Sequence, residues 1–128
     1  MRLLTAAVLV SVTVALVGCG GNKPKLVPVT GKVTQKGQPV TGGSVWFHSE
    51  TSDPNATEKM SGQLQIDGTF TAKTFPHGDG VPPGRYKVTL SRDLAARAGV
   101  PKYGDPATTP WSVDVPDTGL ADHTFEIK

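Results

Sequence analysis

The chain has a single cysteine, Cys19. An intramolecular disulfide is therefore excluded, and a lone thiol in such a chain requires another explanation. Aromatic residues make up only 6% of the 128 residues, and 13 basic groups face 11 acidic ones for a formal net charge of +2. That balance lacks the dense basic surface needed to displace counterions from a nucleic-acid backbone, so no nucleic-acid partner is expected. The three histidines, His48, His77 and His123, are scattered without His-x-x-x-His spacing, which argues against zinc. His77-Gly78-Asp79 and Asp105 offer oxygen ligands but not the spaced acidic loop of a calcium site. A Gly-x-Ser-x-Gly elbow is also missing, and Ser44, Ser61, Ser91 and Ser112 fall in or beside predicted strands. We expect no catalytic residue, no metal and no cofactor.

Long apolar runs are confined to the start of the chain. After Met1-Arg2, residues 3–17 contain only Thr5, Ser11 and Thr13 as polar side chains. A positive start followed by a short apolar stretch reads as a secretory signal, and the stretch falls below the about 20 residues of a spanning helix. It ends in Leu16-Val17-Gly18-Cys19, which resembles the bacterial lipobox. The resemblance implies cleavage between Gly18 and Cys19 and diacylglycerol on the Cys19 thiol, which also explains the lone cysteine. Several acyl chains, at about 0.8 kcal/mol per buried methylene, hold a protein to a membrane effectively permanently. Residues 1–18 are thus expected to be a lipoprotein signal peptide, and 19–26 the lipidated cysteine and a short linker. Residues 20–25 reach about 20 Å when extended, so the domain that follows sits close to its membrane. Lys23 and Lys25 are placed to meet anionic headgroups or to solvate the linker.

From residue 27 to 128 the sequence predicts one domain. Its 15 Gly and 11 Pro make it rich in turns, and its apolar residues recur with period two, the mark of half-buried strands. Seven strands are expected. Val27, Val29, Gly31 and Val33 share one face of the first, followed by a turn at 35–38. Strand 44–49 directs Val45 and Phe47 one way and Trp46 and His48 the other. Residues 50–58 form an exposed loop whose Asn55-Ala56-Thr57 sequon carries no weight in an exported bacterial protein. Strand 59–66 places Met60, Gly62, Leu64 and Ile66 on one face, and Asp67-Gly68 predicts a type I′ hairpin turn. The returning strand 69–75 turns Phe70 and Ala72 inward. After a Pro- and Gly-rich loop at 76–84, strand 85–91 alternates Tyr86, Val88 and Leu90 against Arg85, Lys87 and Thr89. Asp93 to Gly99 suits one helical turn, with Asp93 as cap and Gly99 as stop. A long excursion to Pro110 precedes strands 111–115 and 123–128, the latter with Phe125 and Ile127 inward. Such spacing predicts an all-β, two-layer sandwich.

Several of these residues, taken in order, resemble the carboxypeptidase regulatory-like domain. They are Val29-Thr30-Gly31-Lys32-Val33-Thr34, Lys36-Gly37-Gln38-Pro39-Val40, Gly43-Ser44-Val45-Trp46-Phe47, Asp67-Gly68-Thr69-Phe70 and Pro83-Gly84-Arg85-Tyr86-Lys87-Val88. The loop 100–110, together with the lipobox-like tetrapeptide, is similar to that of small planctomycete-type bacterial lipoproteins. The resemblance implies a transthyretin-like, immunoglobulin-like sandwich with no enzymatic activity of its own. Trp46 and His48 occupy positions where smaller or aliphatic residues are commoner in that family.

The remaining candidates are aromatic. Trp46, Tyr103 and Trp111 are candidate binding residues, able to stack on sugars or to anchor a partner. The simpler reading makes Trp111 a core residue and Tyr103 the packing of the long loop, and leaves Trp46 the least constrained. The expected function is a non-enzymatic, membrane-anchored lipoprotein acting as a protein-interaction or structural module of the cell envelope. The alternative is a carbohydrate-binding envelope lipoprotein. Its partners are the membrane, through the lipid on Cys19, and an envelope protein or a glycan.

Overall fold

The computed structural model describes residues 25–50 and 59–128. The expected signal peptide, Gly18, Cys19 and most of the expected linker lie outside the described residues, as does the Asn55-Ala56-Thr57 sequon. What the structure describes is an all-β sandwich of two packed sheets with one short α-helix.

Alternation builds the strands. In β1 (Val29–Gln35), Val29, Gly31 and Val33 are buried and the intervening residues are half-exposed. Lys36 and Gly37 both take positive φ, 51° and 77°, before β2 (Gln38–Pro39) pairs back on β1. Two successive left-handed residues are what a two-residue type I′ loop requires, and Gly37 meets that demand without strain. β3 (Ser44–Ser49) and β4 (Lys59–Gln63) are antiparallel, with Val45, Phe47, Met60 and Gly62 inward.

The stretch predicted as one strand at 69–75 is divided between the sheets. β5 (Thr69–Thr71) pairs with β1, whereas β6 (Lys73–Phe75) pairs with β4. Ala72, wholly buried, is the crossing point. The turn before it also differs from expectation. Asp67 has no positive φ; Gly68 alone does, and its N–H donates to Gln65 O while Gln65 N–H donates to Thr69 O. That is the pattern of a glycine bulge after a turn rather than type I′. Because β4 ends at Gln63, Ile66 falls on the turn and is 93% exposed instead of inward.

The loop at 76–84 contains β7 (Gly78–Asp79), paired with β6, and the buried Val81, which bridges to Val27. β8 (Gly84–Leu90) pairs with β3 on one side and with β9 (Ser112–Val115) on the other. β10 (Leu120–Ile127) runs parallel to β1. The sheets are therefore β10-β1-β2, with β5 also on β1, and β7-β6-β4-β3-β8-β9. Among the described residues there are ten short strands where seven were expected, through the division of 69–75 and the two-residue strands β2 and β7.

The excursion after β8 is ordered. Helix α1 (Arg92–Arg97) starts after Ser91, which makes no side-chain cap bond; Asp93 lies in its first turn rather than at the cap, and Gly99 follows the C-cap Ala98. A 3-10 helix at Pro101–Gly104 follows. Leu94 and Ala95 are buried, Gln35 Nε2 donates to Ala98 O, and Tyr103 Oη accepts from Lys128 N–H. These elements close the far end of the sandwich, the end of the 36–37 turn and Lys128. Lys25 leaves from the opposite end.

Phe70 occupies the middle of the core. Its ring lies beside those of Phe47 and Phe125, at centroid separations of 6.1 and 6.2 Å, and is accommodated by glycines in both sheets, Gly31 and Gly62.

Candidate functional site

The outer face of the six-stranded sheet carries a concavity lined by described residues. With Val45 and Phe47 committed to the core, period two turns Trp46 outward from β3. Registration then sets Ser61 of β4 directly opposite Trp46, Lys73 of β6 opposite Ser61, and Asp79 of β7 opposite Lys73. This row crosses four strands, roughly 14 Å at about 4.8 Å per strand. A second row beside it pairs Ser44 with Gln63, and Gln65 and Thr71 complete the lining of a concavity of about 500 Å³.

Hydroxyls and amides dominate the lining. Lys73 Nζ lies 3.8 Å from Asp79 Oδ1, so its two charges offset each other locally. Trp46 is half-buried and belongs to none of the ring pairs among the described residues. No family model, curated protein or solved structure matches this chain.

Beside Trp46 on the same face, His48 Nε2 shares a 2.9 Å hydrogen bond with Thr89 Oγ1. Burial pushes the His48 pKa below its ordinary value, and the charge of Asp105 partly opposes that shift. Further along, Arg85 Nε lies 3.0 Å from Asp114 Oδ1 and 3.9 Å from Glu50, and Lys87 Nζ lies 3.9 Å from Glu50. The hydrogen bond to Asp114, then the charges of Asp114 and Glu50, raise the Arg85 pKa. Arg85 and Asp114 are exposed, and exposed ion pairs stabilise little. Among the described residues no group of three or more His, Cys, Asp or Glu side chains assembles as a metal site. No helix among them is long and apolar enough to cross a membrane.

The three candidate aromatics do not converge. Tyr103 and Trp111 are 2% and 9% exposed and their rings meet edge to face at 4.7 Å. Trp111 also packs 5.2 Å from Phe125 and donates from Nε1 to Glu126 O. Both lie in the core, which leaves no flat face for a ligand. Trp46 stands apart on the outer face, surrounded by residues that aromatic composition alone could not indicate. Ser61 and Gln63 were visible as the polar phase of their strand. Lys73 and Asp79 were not, because their place depends on the strand that changes sheets at Ala72.

Proposed function

We propose that this protein is a non-enzymatic lipoprotein held to a bacterial membrane by acyl chains on Cys19, with its sandwich serving as an interaction or structural module of the envelope. The observation that carries this reading is Leu16-Val17-Gly18-Cys19 at the end of a short apolar run, directly before a sandwich whose first residues lie at one end. A linker of that length keeps the domain within about 20 Å of the lipid. The ordered resemblance to the carboxypeptidase regulatory-like domain supports a binding architecture without chemistry of its own. Export to the periplasmic or cell-surface side follows from the signal peptide.

Metabolic labelling with a palmitate analogue tests the anchor. Label is expected on the wild-type protein in the membrane fraction and is expected to disappear in Cys19→Ala, which accumulates as uncut precursor. An unlabelled wild type, or label retained by Cys19→Ala, overturns the reading. A second reading, carbohydrate binding, is favoured by one observation: the single solvent-facing tryptophan among the described residues lies in a groove of hydroxyl and amide side chains.

A further inference from the structure

We infer that the outer face of the six-stranded sheet binds a neutral, extended oligosaccharide, with one sugar ring stacked on Trp46 and its neighbours lying across Ser61 and Gln63 toward the Lys73–Asp79 pair. The inference rests on reading the protein as a binding module, but not on the lipid anchor.

Three properties of the groove select this ligand class. The lining supplies groups that both donate and accept hydrogen bonds, as sugar hydroxyls do. Ser61, Gln63 and Thr71 have no side-chain hydrogen bond among the described residues, so those groups are free to turn to a ligand. Trp46 is the only large apolar surface among the described residues of the lining, which suits one ring laid flat on the electron-rich face of the indole. A hydrophobic peptide or lipid chain would need further apolar contacts. The charges also matter. Lys73 and Asp79 face each other at 3.8 Å, so neither a phosphate nor a cation meets a field of one sign. Finally, the groove lies on a sheet face with its backbone bonds already made between β3, β4 and β6, which excludes recognition by strand addition at this place. Its length, at roughly 4.8 Å per strand, spans several sugar rings rather than one.

The test is isothermal titration calorimetry on the full chain as purified from its host, in detergent micelles. The probes are neutral hexasaccharides of glucose, mannose and galactose in α and β linkage, with polygalacturonate as a charged control. At least one neutral hexasaccharide is expected to bind, and Trp46→Ala is expected to weaken it at least tenfold with the thermal midpoint unchanged. Ser61→Arg, which fills the groove beside the ring without touching the core, is expected to do the same and keeps the test valid if Trp46→Ala unfolds. The assignment is overturned if no neutral hexasaccharide binds, if both variants bind as the wild type does, or if polygalacturonate binds more tightly and loses affinity in Lys73→Met. Palmitate labelling and calorimetry read separate properties, so the anchor and the glycan site can each fail alone.

Discussion

Gly62→Ala tests how closely the two sheets are fitted around Phe70. An ideal Cβ at Gly62 falls 2.7 Å from Phe70 Cδ2; one at Gly31 falls 2.8 Å from Phe70 Cζ and 2.5 Å from His123 O. Carbon atoms settle about 3.5–4.0 Å apart, so the ring must retreat by roughly 1 Å. Phe47 and Phe125 stand beside it and bar the way. Overpacking of this kind costs about 1–3 kcal/mol, while alanine regains about 0.4–1 kcal/mol by restricting the unfolded chain. Gly62→Ala should therefore lose about 1–2 kcal/mol, or roughly 4–16 °C in Tm for a domain of this size. Gly31→Ala also presses on a backbone carbonyl, which yields only if β10 parts from β1, and should lose about 3 kcal/mol or more. Urea unfolding followed by circular dichroism measures both, alone and with Phe70→Leu. The smaller side chain makes room at Gly62, so that pair should be more stable than the sum of its singles by about 1 kcal/mol. Gly31→Ala should be rescued only in part. Strict additivity at Gly62, or full rescue at Gly31, would refute the picture of a ring clamped by both sheets.

Two further outcomes are expected. Trp111→Phe removes the Nε1 hydrogen bond to Glu126 O and part of the ring between Tyr103 and Phe125, and should lower stability by about 1.5–3 kcal/mol in the same unfolding assay; a loss below about 0.5 kcal/mol would contradict the core role. His48 has its folded pKa held below the ordinary 6.5, so around and below that pH the unfolded chain binds more protons than the folded one. Stability should fall as pH drops through 6.5 and below, and thermal melts of His48→Gln across the same pH series should show a shallower decline; identical slopes would count against this assignment.

Much of the fold could be read from period-two alternation wherever a strand stays in one sheet. Val29 and Val33, Val45 and Phe47, Tyr86 and Val88, and Phe125 and Ile127 are all buried on the faces that alternation assigns. It fails where a face is not constant. From Thr69 to Phe75 the alternation is continuous, so nothing local marks the passage from one sheet to the other at Ala72. Ile66 reads as the next inward residue after Leu64, yet the turn begins first and exposes it. Turn chemistry was similarly ambiguous: Asp67-Gly68 has the composition of a type I′ loop, but Lys36-Gly37 has its geometry. At the candidate site, Trp46 could be placed on the outer face from its neighbours. Its companions across the groove depend on long-range register, which composition does not encode.

The parallel pairing of β1 with β10 has a mechanical consequence. Lys25 lies at one end of the sandwich and Lys128 at the other, and the two strands nearest them are joined side by side through six registered positions from Val29 to Gln35. A force applied between those ends runs along the strands and loads these rungs together, in shear, whereas terminal strands paired antiparallel and pulled from the same end would unzip one rung at a time. Resistance to such a pull is set by the unfolding rate rather than by equilibrium stability, and this topology makes the first step toward rupture a collective one.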